Sequence, residues 1–506
     1  MRALCSATAA AWLALAAGCA SLEGPFGAHL ASPADAVRGC AEWYRALDEQ
    51  VDAAGVRDAQ YASVAGFPYL RVDRFHAALR SRAAANSAAL QQFAEHLLEL
   101  DLESRRHEIE NLPRSRFDAL PGAAGGLDRA EALRRTLACG RVLRGLDLAK
   151  PEVRTEMLAN ARVPDDYSDA QRLLGLYPLT RVFFYRGAKR WEDETLAAFQ
   201  GEARTAPGAI LVRYGPPSAP PTPRAAVAGI LGRAELDALG VPILSARELG
   251  RLAALYAPSF EIAIRDDSDR FGELRWRRGG ALPAVDASGA AVYVQATYTR
   301  YGERNLLQLV YTLWFPERPA QGAADILAGQ LDGVVWRVTL APDGEPLIYD
   351  SIHACGCYHM FFPTPRARPR PAPDPLEEWA FVPQVLPALE EEERPLVRIA
   401  SGHHYIERVS LVRGPGSVSR YVLHPYDELR SLPTLEGGAR SAFGPDGLIA
   451  GTERAERFFF WPMGVISAGA MRQSGRQATA FVGRRHFDDP DLFERRFELD
   501  LGEPAR

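Results

Sequence analysis

The densest group of chemically reactive side chains lies in His353-Ala354-Cys355-Gly356-Cys357-Tyr358-His359, which holds two histidines and two cysteines. The segment follows a predicted strand, Leu347 to Ile352. On an extended strand alternate side chains share a face, so all four of these residues would point the same way. Six residues at about 3.3 Å each would nevertheless hold the outer histidines about 20 Å apart, whereas zinc ligands lie about 2.0 to 2.3 Å from the metal. A shared site therefore requires a turn, and Gly356 is the residue that tolerates the positive φ of a turn.

A second pair of histidines, His403 and His404, precedes another predicted strand, Tyr405 to Arg413. Neighbouring residues on a strand face opposite sides, so only one of the two can join the first cluster. Cysteine thiolates together with imidazoles favour Zn²⁺ or Cu(I). The sequence therefore predicts a zinc or copper site, in a binding protein or a metalloenzyme, with the ligands His353, Cys355, Cys357, His359 and His404. Asp350 and Glu407 are candidates for the carboxylates that fix the histidine tautomers in such sites.

The same residues support other interpretations. Cys355 or Cys357 could be a catalytic nucleophile, with Asp350 orienting its base. That base would be His359 or His404, and the activity would be that of a hydrolase or acyl transferase acting on envelope substrates. Alternatively, the turn lets the two cysteines form a disulfide, which requires Cα atoms within about 6.8 Å. In the last interpretation the cysteines only pack a sheet, and the protein is a non-catalytic envelope scaffold.

Few other segments offer chemistry. The sequence has no Gly-Lys-Ser/Thr phosphate loop, no HExxH helix and no GxSxG turn, which excludes the usual signatures of nucleotide, zinc-peptidase and α/β-hydrolase sites. Near the C-terminus, Phe458 to Gly464 reads Phe-Phe-Phe-Trp-Pro-Met-Gly. Such a run either packs in the core or forms an aromatic wall for an apolar or sugar-like ligand.

The elements that must position these residues change character along the chain. From Ser32 to about residue 204 apolar residues recur at helical spacing, after an N-cap and first-turn proline at Ser32-Pro33. From Ser259 onwards the runs are short, β-branched and aromatic, and the clearest hairpin pairs residues 290–301 with 304–315. The expected fold is α+β, with a helical N-terminal domain followed by a mainly antiparallel β C-terminal domain. The expected domains are an α-helical domain at 32–204, an α/β connector with a proline-rich linker at 205–258, and a β-rich domain with the Cys/His cluster at 259–506.

The first residues, Met1 to Cys19, predict export. Arg2 is followed by about a dozen mainly Ala and Leu residues, too few for a membrane-spanning helix, which needs about 20. The end of the segment, Leu15-Ala16-Ala17-Gly18-Cys19, resembles the lipobox of bacterial lipoproteins. The resemblance implies a signal peptide at 1–18, acyl chains such as palmitate on Cys19 and a tether at 19–31. Because Ala20 is not acidic, it also implies an outer-membrane, periplasm-facing protein whose membrane partner is engaged through the lipid anchor. An ordinary cleaved secretion signal is the alternative.

Composition narrows the possible partners. The 506 residues carry 59 basic and 64 acidic side chains, a net charge of −5. The chain therefore has no overall basic field, and nucleic-acid binding is not expected. In an exported protein the remaining cysteines meet oxidising conditions, so Cys40 and Cys139 either pair or remain as buried thiols.

Overall fold

The computed structural model describes residues 24–201, 205–217, 223–414 and 419–502. The predicted signal peptide and Cys19 lie outside these residues. The fold is α+β, as predicted, with helices mainly in the N-terminal part and mostly antiparallel sheets in the C-terminal part. None of the helices within these ranges combines the length and the apolar character needed to cross a bilayer.

The helices and strands of the described ranges are numbered here in chain order. The α-helices are α1 Pro25–Leu30, α2 Asp35–Ala54, α3 Arg74–Ala78, α4 Arg80–Ala83, α5 Ser87–Asn111, α6 Arg114–Phe117, α7 Arg129–Leu148, α8 Pro151–Asn160, α9 Asp169–Leu174, α10 Tyr177–Gln200, α11 Arg224–Arg233, α12 Ala246–Tyr256, α13 Arg457–Phe460 and α14 Leu492–Arg496. The strands are β1 Ala62–Val64, β2 Phe67–Val72, β3 Ile210–Gly215, β4 Ser259–Ile264, β5 Glu273–Arg275, β6 Ala284–Asp286, β7 Ala291–Tyr301, β8 Arg304–Arg318, β9 Gly329–Leu340, β10 Pro346–His353, β11 Met360–Pro363, β12 Ala367–Pro369, β13 Glu393–Ile399, β14 Ile406–Arg413, β15 Ser419–Arg420, β16 Val422–Pro425, β17 Leu432–Pro433, β18 Ala439–Arg440 and β19 Phe497–Leu499.

The first compact unit runs to Pro164 and includes Gly438–Ser441. Its helices bury apolar faces, as α2 does with Trp43 and Tyr44. Helix α2 ends at Gly55, whose left-handed backbone (φ 64°) caps the helix without the penalty that a side chain would carry. An antiparallel hairpin of β1 and β2 interrupts the helical part of the chain.

The first unit also contains a disulfide. Cys40 of α2 and Cys139 of α7 are bonded, with Cα atoms 4.9 Å apart. The two cysteines are separated by 99 residues, so the bond ties together distant parts of the chain. Of the two alternatives that the sequence offered for these cysteines, the structure has the pair.

The second compact unit comprises Asp165–Gly437 and the residues from Ala442 onwards. Its main sheet has six strands in the order β11-β10-β9-β8-β7-β16. The central strands β8 and β9 are almost wholly buried, because both faces of the sheet are covered. Alternate residues fill two separate cores: Tyr311 and Trp336 pack on one face, and Trp314 and Val335 on the other.

A second sheet of this unit has five strands in the order β14-β13-β4-β3-β15. Across both sheets most strand pairs are antiparallel. They include β7 with β8 in the main sheet, the predicted hairpin, which closes where Tyr301 faces Arg304. The pairs β13 with β4, β15 with β3 and β16 with β7 are parallel. Helix α12 begins with a reciprocal cap between Ser245 and Glu248 and buries Leu252 in the larger core.

Candidate functional site

The segment from His353 to His359 leaves the end of β10 and reverses at Gly356. The N–H of Gly356 donates to the carbonyl of His353 (2.8 Å), and the N–H of His353 donates to the carbonyl of Cys357 (2.9 Å). Gly356 has φ 96°, and a Cβ there would lie 2.4 Å from the carbonyl oxygen of Ala478. Only glycine fits this position, so the turn that a shared site requires is present.

The turn brings the thiols of Cys355 and Cys357 together. Cys355 is buried, Cys357 is half-buried, and neither is in a disulfide. Their hydrogen bond lowers the pKa of Cys355 and, with burial, raises the pKa of Cys357 well above its usual range. Cys357 therefore keeps its proton, and its S–H donates a hydrogen bond to the sulfur of Cys355. Among the residues that the structure describes, neither thiol hydrogen-bonds to an imidazole.

Two of the predicted histidines meet at a carboxylate that the sequence analysis missed, Asp332 of β9. Nδ1 of His404 lies 2.9 Å from one oxygen of Asp332, and Nδ1 of His353 lies 3.3 Å from the other. Nη2 of Arg454 adds a contact of 3.3 Å. Burial opposes charge on Asp332, but His353 and Arg454 hold the pKa of this carboxyl well below its usual range. Asp332 is therefore ionised and accepts hydrogen bonds from both rings.

The two histidines at Asp332 differ in charge. Burial lowers the pKa of His353, so its ring is neutral and donates through Nδ1–H. His404 is also fully buried, but its Nε2 lies 3.5 Å from Oδ1 of Asp269. The carboxylates of Asp269 and Asp332 outweigh burial and raise the pKa of His404. The raised pKa favours the protonated form of the His404 ring between the two carboxylates, and this ring stacks on Phe315 with centroids 4.0 Å apart.

His359 belongs to a different group, centred on Asp350 of β10. Arg337, directly opposite on β9, makes a double hydrogen bond to the Asp350 carboxylate at 2.9 and 2.6 Å. Nε2 of His359 lies 2.8 Å from the same carboxylate. Burial opposes charge on Asp350, but Arg337 lowers its pKa, so the carboxylate accepts only and Nε2 of His359 must carry the proton. The pairing of Asp350 with His359 follows the prediction, whereas Glu407 lies near Arg398 (3.8 Å) instead of a histidine.

These two groups lie on opposite faces of the main sheet. Asp332 and Arg337 are five residues apart on β9, so their side chains project from opposite sides. The five predicted ligands consequently fall in three places, namely the thiol pair, the Asp332 group and the Asp350 group. Within the described parts of the chain no three His, Cys, Asp or Glu side chains are placed to hold a metal ion.

Beside the turn lies a cavity of about 420 Å³, hereafter the aromatic cavity. Helix α10 contributes Phe184 and Trp191 to its lining, and the turn contributes Cys357, Tyr358 and His359. The aromatic residues that complete the lining are Phe183, Trp379, Phe381, Tyr405, Phe460 and Phe481. Phe460 comes from the aromatic segment of the sequence and stacks on Phe481 at 4.1 Å. That segment therefore supplies part of a cavity wall.

The lining residues also include the ionisable Glu192, Glu378, Glu456 and Arg485, and two of the rings carry unpartnered polar atoms. Nε1 of Trp191 and Nδ1 of His359 are buried and have no hydrogen-bond partner among the described residues. Trp191 offers a donor, and His359, whose proton is on Nε2, offers an acceptor. Burial raises the pKa of Glu456, another lining residue, to about 7. An apolar cavity with a few polar atoms of this kind is typical of a small-molecule site.

The rim of the aromatic cavity carries exposed apolar side chains, hereafter the rim patch. Phe183 lines the cavity and is 71 % exposed, and Leu179, one turn earlier on α10, is 67 % exposed. Phe458, on α13, is also 67 % exposed, and the 3-10 turn that follows α13 packs against α10. Other exposed apolar side chains on α9, on α13 and in the segments beside them are Leu173, Leu174, Leu176, Phe459, Trp461 and Ile466. Apolar exposure on this scale marks an interaction surface.

Backbone strain collects near the site. Non-glycine residues with left-handed backbone are rare, and in the described ranges they include Leu331 (φ 55°), Tyr358 (φ 62°) and His404 (φ 53°). Leu331 precedes Asp332, Tyr358 lines the aromatic cavity and His404 bonds to Asp332. Strain of this kind costs about 1 to 3 kcal/mol per residue and persists mainly at functional sites. One sequence signal could have identified part of the site, since Asp332 and Arg337 are the charged residues of a mostly apolar strand.

No known protein family, curated protein or solved structure matches the chain. Its function must therefore be inferred from the chemistry and geometry of its own residues.

Proposed function

We propose that the protein binds an apolar small molecule, such as an acyl chain with one hydrogen-bonding group, in the aromatic cavity. The observation that carries the proposal is the pair of unpartnered polar atoms, Nε1 of Trp191 and Nδ1 of His359, on residues of a mainly aromatic lining. A buried polar group without a partner is unfavourable, so a ligand that supplies an acceptor and a donor gains affinity there. The volume of about 420 Å³ lies in the range of cavities that enclose small ligands.

The rim patch supports an acyl ligand drawn from a membrane. Exposed Leu179 and Phe183 flank the cavity on α10, which also carries Arg181, Arg186, Lys189 and Arg190 before its first acidic residue. Apolar side chains beside basic ones are typical of helices that rest on anionic lipid surfaces. In this proposal the rim patch contacts the bilayer, and an acyl chain passes from the bilayer into the cavity.

Binding of a fluorescent undecanoic acid tests the cavity. Ala188 lines the cavity and Ala197 is an exposed residue on the same helix, so Ala188→Trp fills the cavity and Ala197→Trp is its matched control. We expect saturable binding that the first variant abolishes and the second leaves unchanged. The proposal fails if neither substitution alters binding, or if the wild-type protein does not bind the probe.

The contact with membranes has its own test. Leu179→Ser and Phe183→Ser should reduce sedimentation of the unlipidated chain with vesicles of anionic phospholipid, because each removes exposed apolar surface from the rim patch. Leu435→Ser, at another exposed leucine (64 %), is the matched control. Equal sedimentation of all three variants would contradict membrane contact through this surface.

The proposed location is the outer membrane, with the protein facing the periplasm and anchored through lipid on Cys19. It rests on the lipobox resemblance of residues 15–19. Mass spectrometry of the mature protein should find an acylated N-terminal Cys19, and Cys19→Ala should release the chain from membranes. An unmodified mature N-terminus elsewhere would instead indicate an ordinary secretion signal.

A second candidate function is zinc or copper binding at the thiol pair. The observation in its favour is that Cys355 and Cys357 already lie in contact on one turn, with Glu456 near enough for its charge to act on both thiols. Protein purified from the periplasm should then hold stoichiometric metal that Cys355→Ser/Cys357→Ser loses and Ala188→Trp retains. Metal-free wild-type protein would exclude this candidate without affecting the proposal for the aromatic cavity.

A further inference from the structure

A second cavity of the C-terminal unit, of about 590 Å³, shares no lining residue with the aromatic cavity. It lies among α11, α12, the start of β13 and the segment Pro216–Pro217, and we call it the arginine cleft. Its lining includes the arginines Arg224, Arg247, Arg251, Arg394 and Arg420, together with the glutamates Glu391, Glu392 and Glu393. The cationic side chains therefore outnumber the anionic ones.

Within the described residues, most of these arginines form no ion pair with a carboxylate. Arg224 is the exception, because its Nη2 lies 2.9 Å from the Glu345 carboxylate. Arg394 donates instead to the carbonyl of Ala257 (3.1 Å), and Arg420 donates to the carbonyl of Pro216 (2.9 Å). Carbonyls satisfy N–H groups without neutralising the positive charge.

The remaining arginines and the glutamates complete the charge balance. Arg247 and Arg251 are exposed and one helical turn apart on α12, and in the described ranges neither lies within ion-pair distance of a carboxylate. Among the glutamates, Glu393 is paired with Arg413 (3.2 Å), and Glu391 accepts the backbone N–H of Arg224 (2.7 Å) but keeps its charge, as Glu392 does. Among the described residues, four of the five arginines thus form no ion pair, and the positive charges of the lining outnumber the carboxylates that remain unpaired.

Two buried polar atoms point to what completes the cleft. Tyr349 is 1 % exposed, and its ring is held by stacking on Trp336 with centroids 5.5 Å apart. Its hydroxyl has no hydrogen-bond partner in the part of the chain that the structure describes, and the same holds for Nε of Arg394. Burial raises the pKa of Tyr349, so the hydroxyl stays protonated and is a donor. Both atoms belong to lining residues and both are donors, which fits an acceptor-rich ligand.

We propose that the arginine cleft binds a small organic anion with several charged oxygens, a phosphate ester or a polycarboxylate. Guanidinium groups suit such ligands because they donate hydrogen bonds in a planar fork and remain charged. Arg394 and Arg420 bind the anionic groups, and the hydroxyl of Tyr349 donates to an oxygen at the buried end of the cleft. This site is independent of the ligand in the aromatic cavity.

Titration calorimetry of the full chain with inorganic pyrophosphate and with tricarballylate tests the proposal and separates the two sources of charged oxygen. We expect saturable binding of at least one probe, weakened about tenfold or more by Arg394→Gln and by Arg420→Gln, since each substitution removes a charge-assisted hydrogen bond. Arg277→Gln, at an exposed arginine outside the cleft, is the matched control and should bind like the wild type. Failure of both probes to bind, or equal binding by all three variants, would overturn the proposal.

Tyr349→Phe separates a binding role from a structural one. Because the hydroxyl has no partner in the described protein, its removal should leave the melting temperature of the unliganded chain unchanged or raise it. The same variant should weaken binding of the probe about tenfold, the effect of one lost hydrogen bond to a charged group. A lower melting temperature with unchanged affinity would assign the hydroxyl to the fold and overturn its part in the site.

Discussion

Acid should destabilise the C-terminal unit through His359, and the size of the effect follows from its pKa. Burial, only partly offset by Asp350, lowers the pKa of His359 from 6.5 to about 3. His359 therefore binds a proton near pH 6.5 in the unfolded chain, but only near pH 3 in the folded chain. Stability from this group is complete above the unfolded pKa and falls as the pH drops, by up to about 1.4 kcal/mol per pH unit. Between pH 7 and pH 5 the expected loss is about 2 kcal/mol.

The assay is urea unfolding at pH 7 and at pH 5, followed by tryptophan fluorescence. Six of the eight tryptophans lie in the C-terminal unit, so the signal reports mainly on it. His359→Gln keeps an N–H donor for Asp350 but does not titrate, and it should lose about 2 kcal/mol less than the wild type over this interval. Phe361→Leu, which removes the ring stacked on His359 at 4.1 Å, controls for packing and should lower stability similarly at both pH values. Equal pH dependence in the wild type and His359→Gln would refute the reasoning.

Three further substitutions test the structure. Cys40→Ala/Cys139→Ala should lower the free energy of unfolding of the first unit by about 4 to 5 kcal/mol, the chain-entropy value for a loop of about 100 residues; an unchanged thermal midpoint would argue against the bond. Gly356 and Gly302 both have positive φ, so replacing either with alanine strains the backbone, and Gly302→Ala should cost about 1 kcal/mol. Gly356→Ala should lower thermal stability by more than Gly302→Ala, because only at Gly356 would the new Cβ lie 2.4 Å from a carbonyl oxygen. Arg337→Met should cost about 3 to 5 kcal/mol in urea unfolding, since it leaves the buried Asp350 carboxylate without its counter-charge; a neutral effect would contradict the paired geometry.

Much of the fold follows from periodicity. The hairpin expected at 290–301 and 304–315 is β7 with β8, because alternation and the turn at Gly302 define both strands locally. The hairpin of β1 and β2 gives no such signal, since Phe67-Pro68 looks like a break between helices. The helical pattern of residues 177–200 likewise does not indicate what α10 packs against, because packing partners distant in sequence leave no local trace.

The candidate site divides in the same way between local and distant effects. The length of an extended segment between His353 and His359 already required a turn at Gly356 in any shared site. Asp350 was a candidate partner for His359 because the two are close in the chain. The distribution of the histidines over two faces of the sheet depends on Asp332, which is remote in sequence from His404. The aromatic cavity depends on α10 and on the C-terminal aromatic segment meeting the turn, and only the segment itself was visible in the sequence.

Strand β9 carries one buried ionised side chain on each face, Asp332 on one and Arg337 on the other. A slip of one residue against β8 or β10 would exchange the two faces and set each charge among hydrocarbon side chains. A sheet with shifted register is therefore less stable for two reasons: both charges are desolvated, and each loses its partner of opposite charge. The two charges thus help to fix the register of β9 against its neighbours. One-residue insertions or deletions in β9 should therefore be tolerated far less than substitutions among its aliphatic residues.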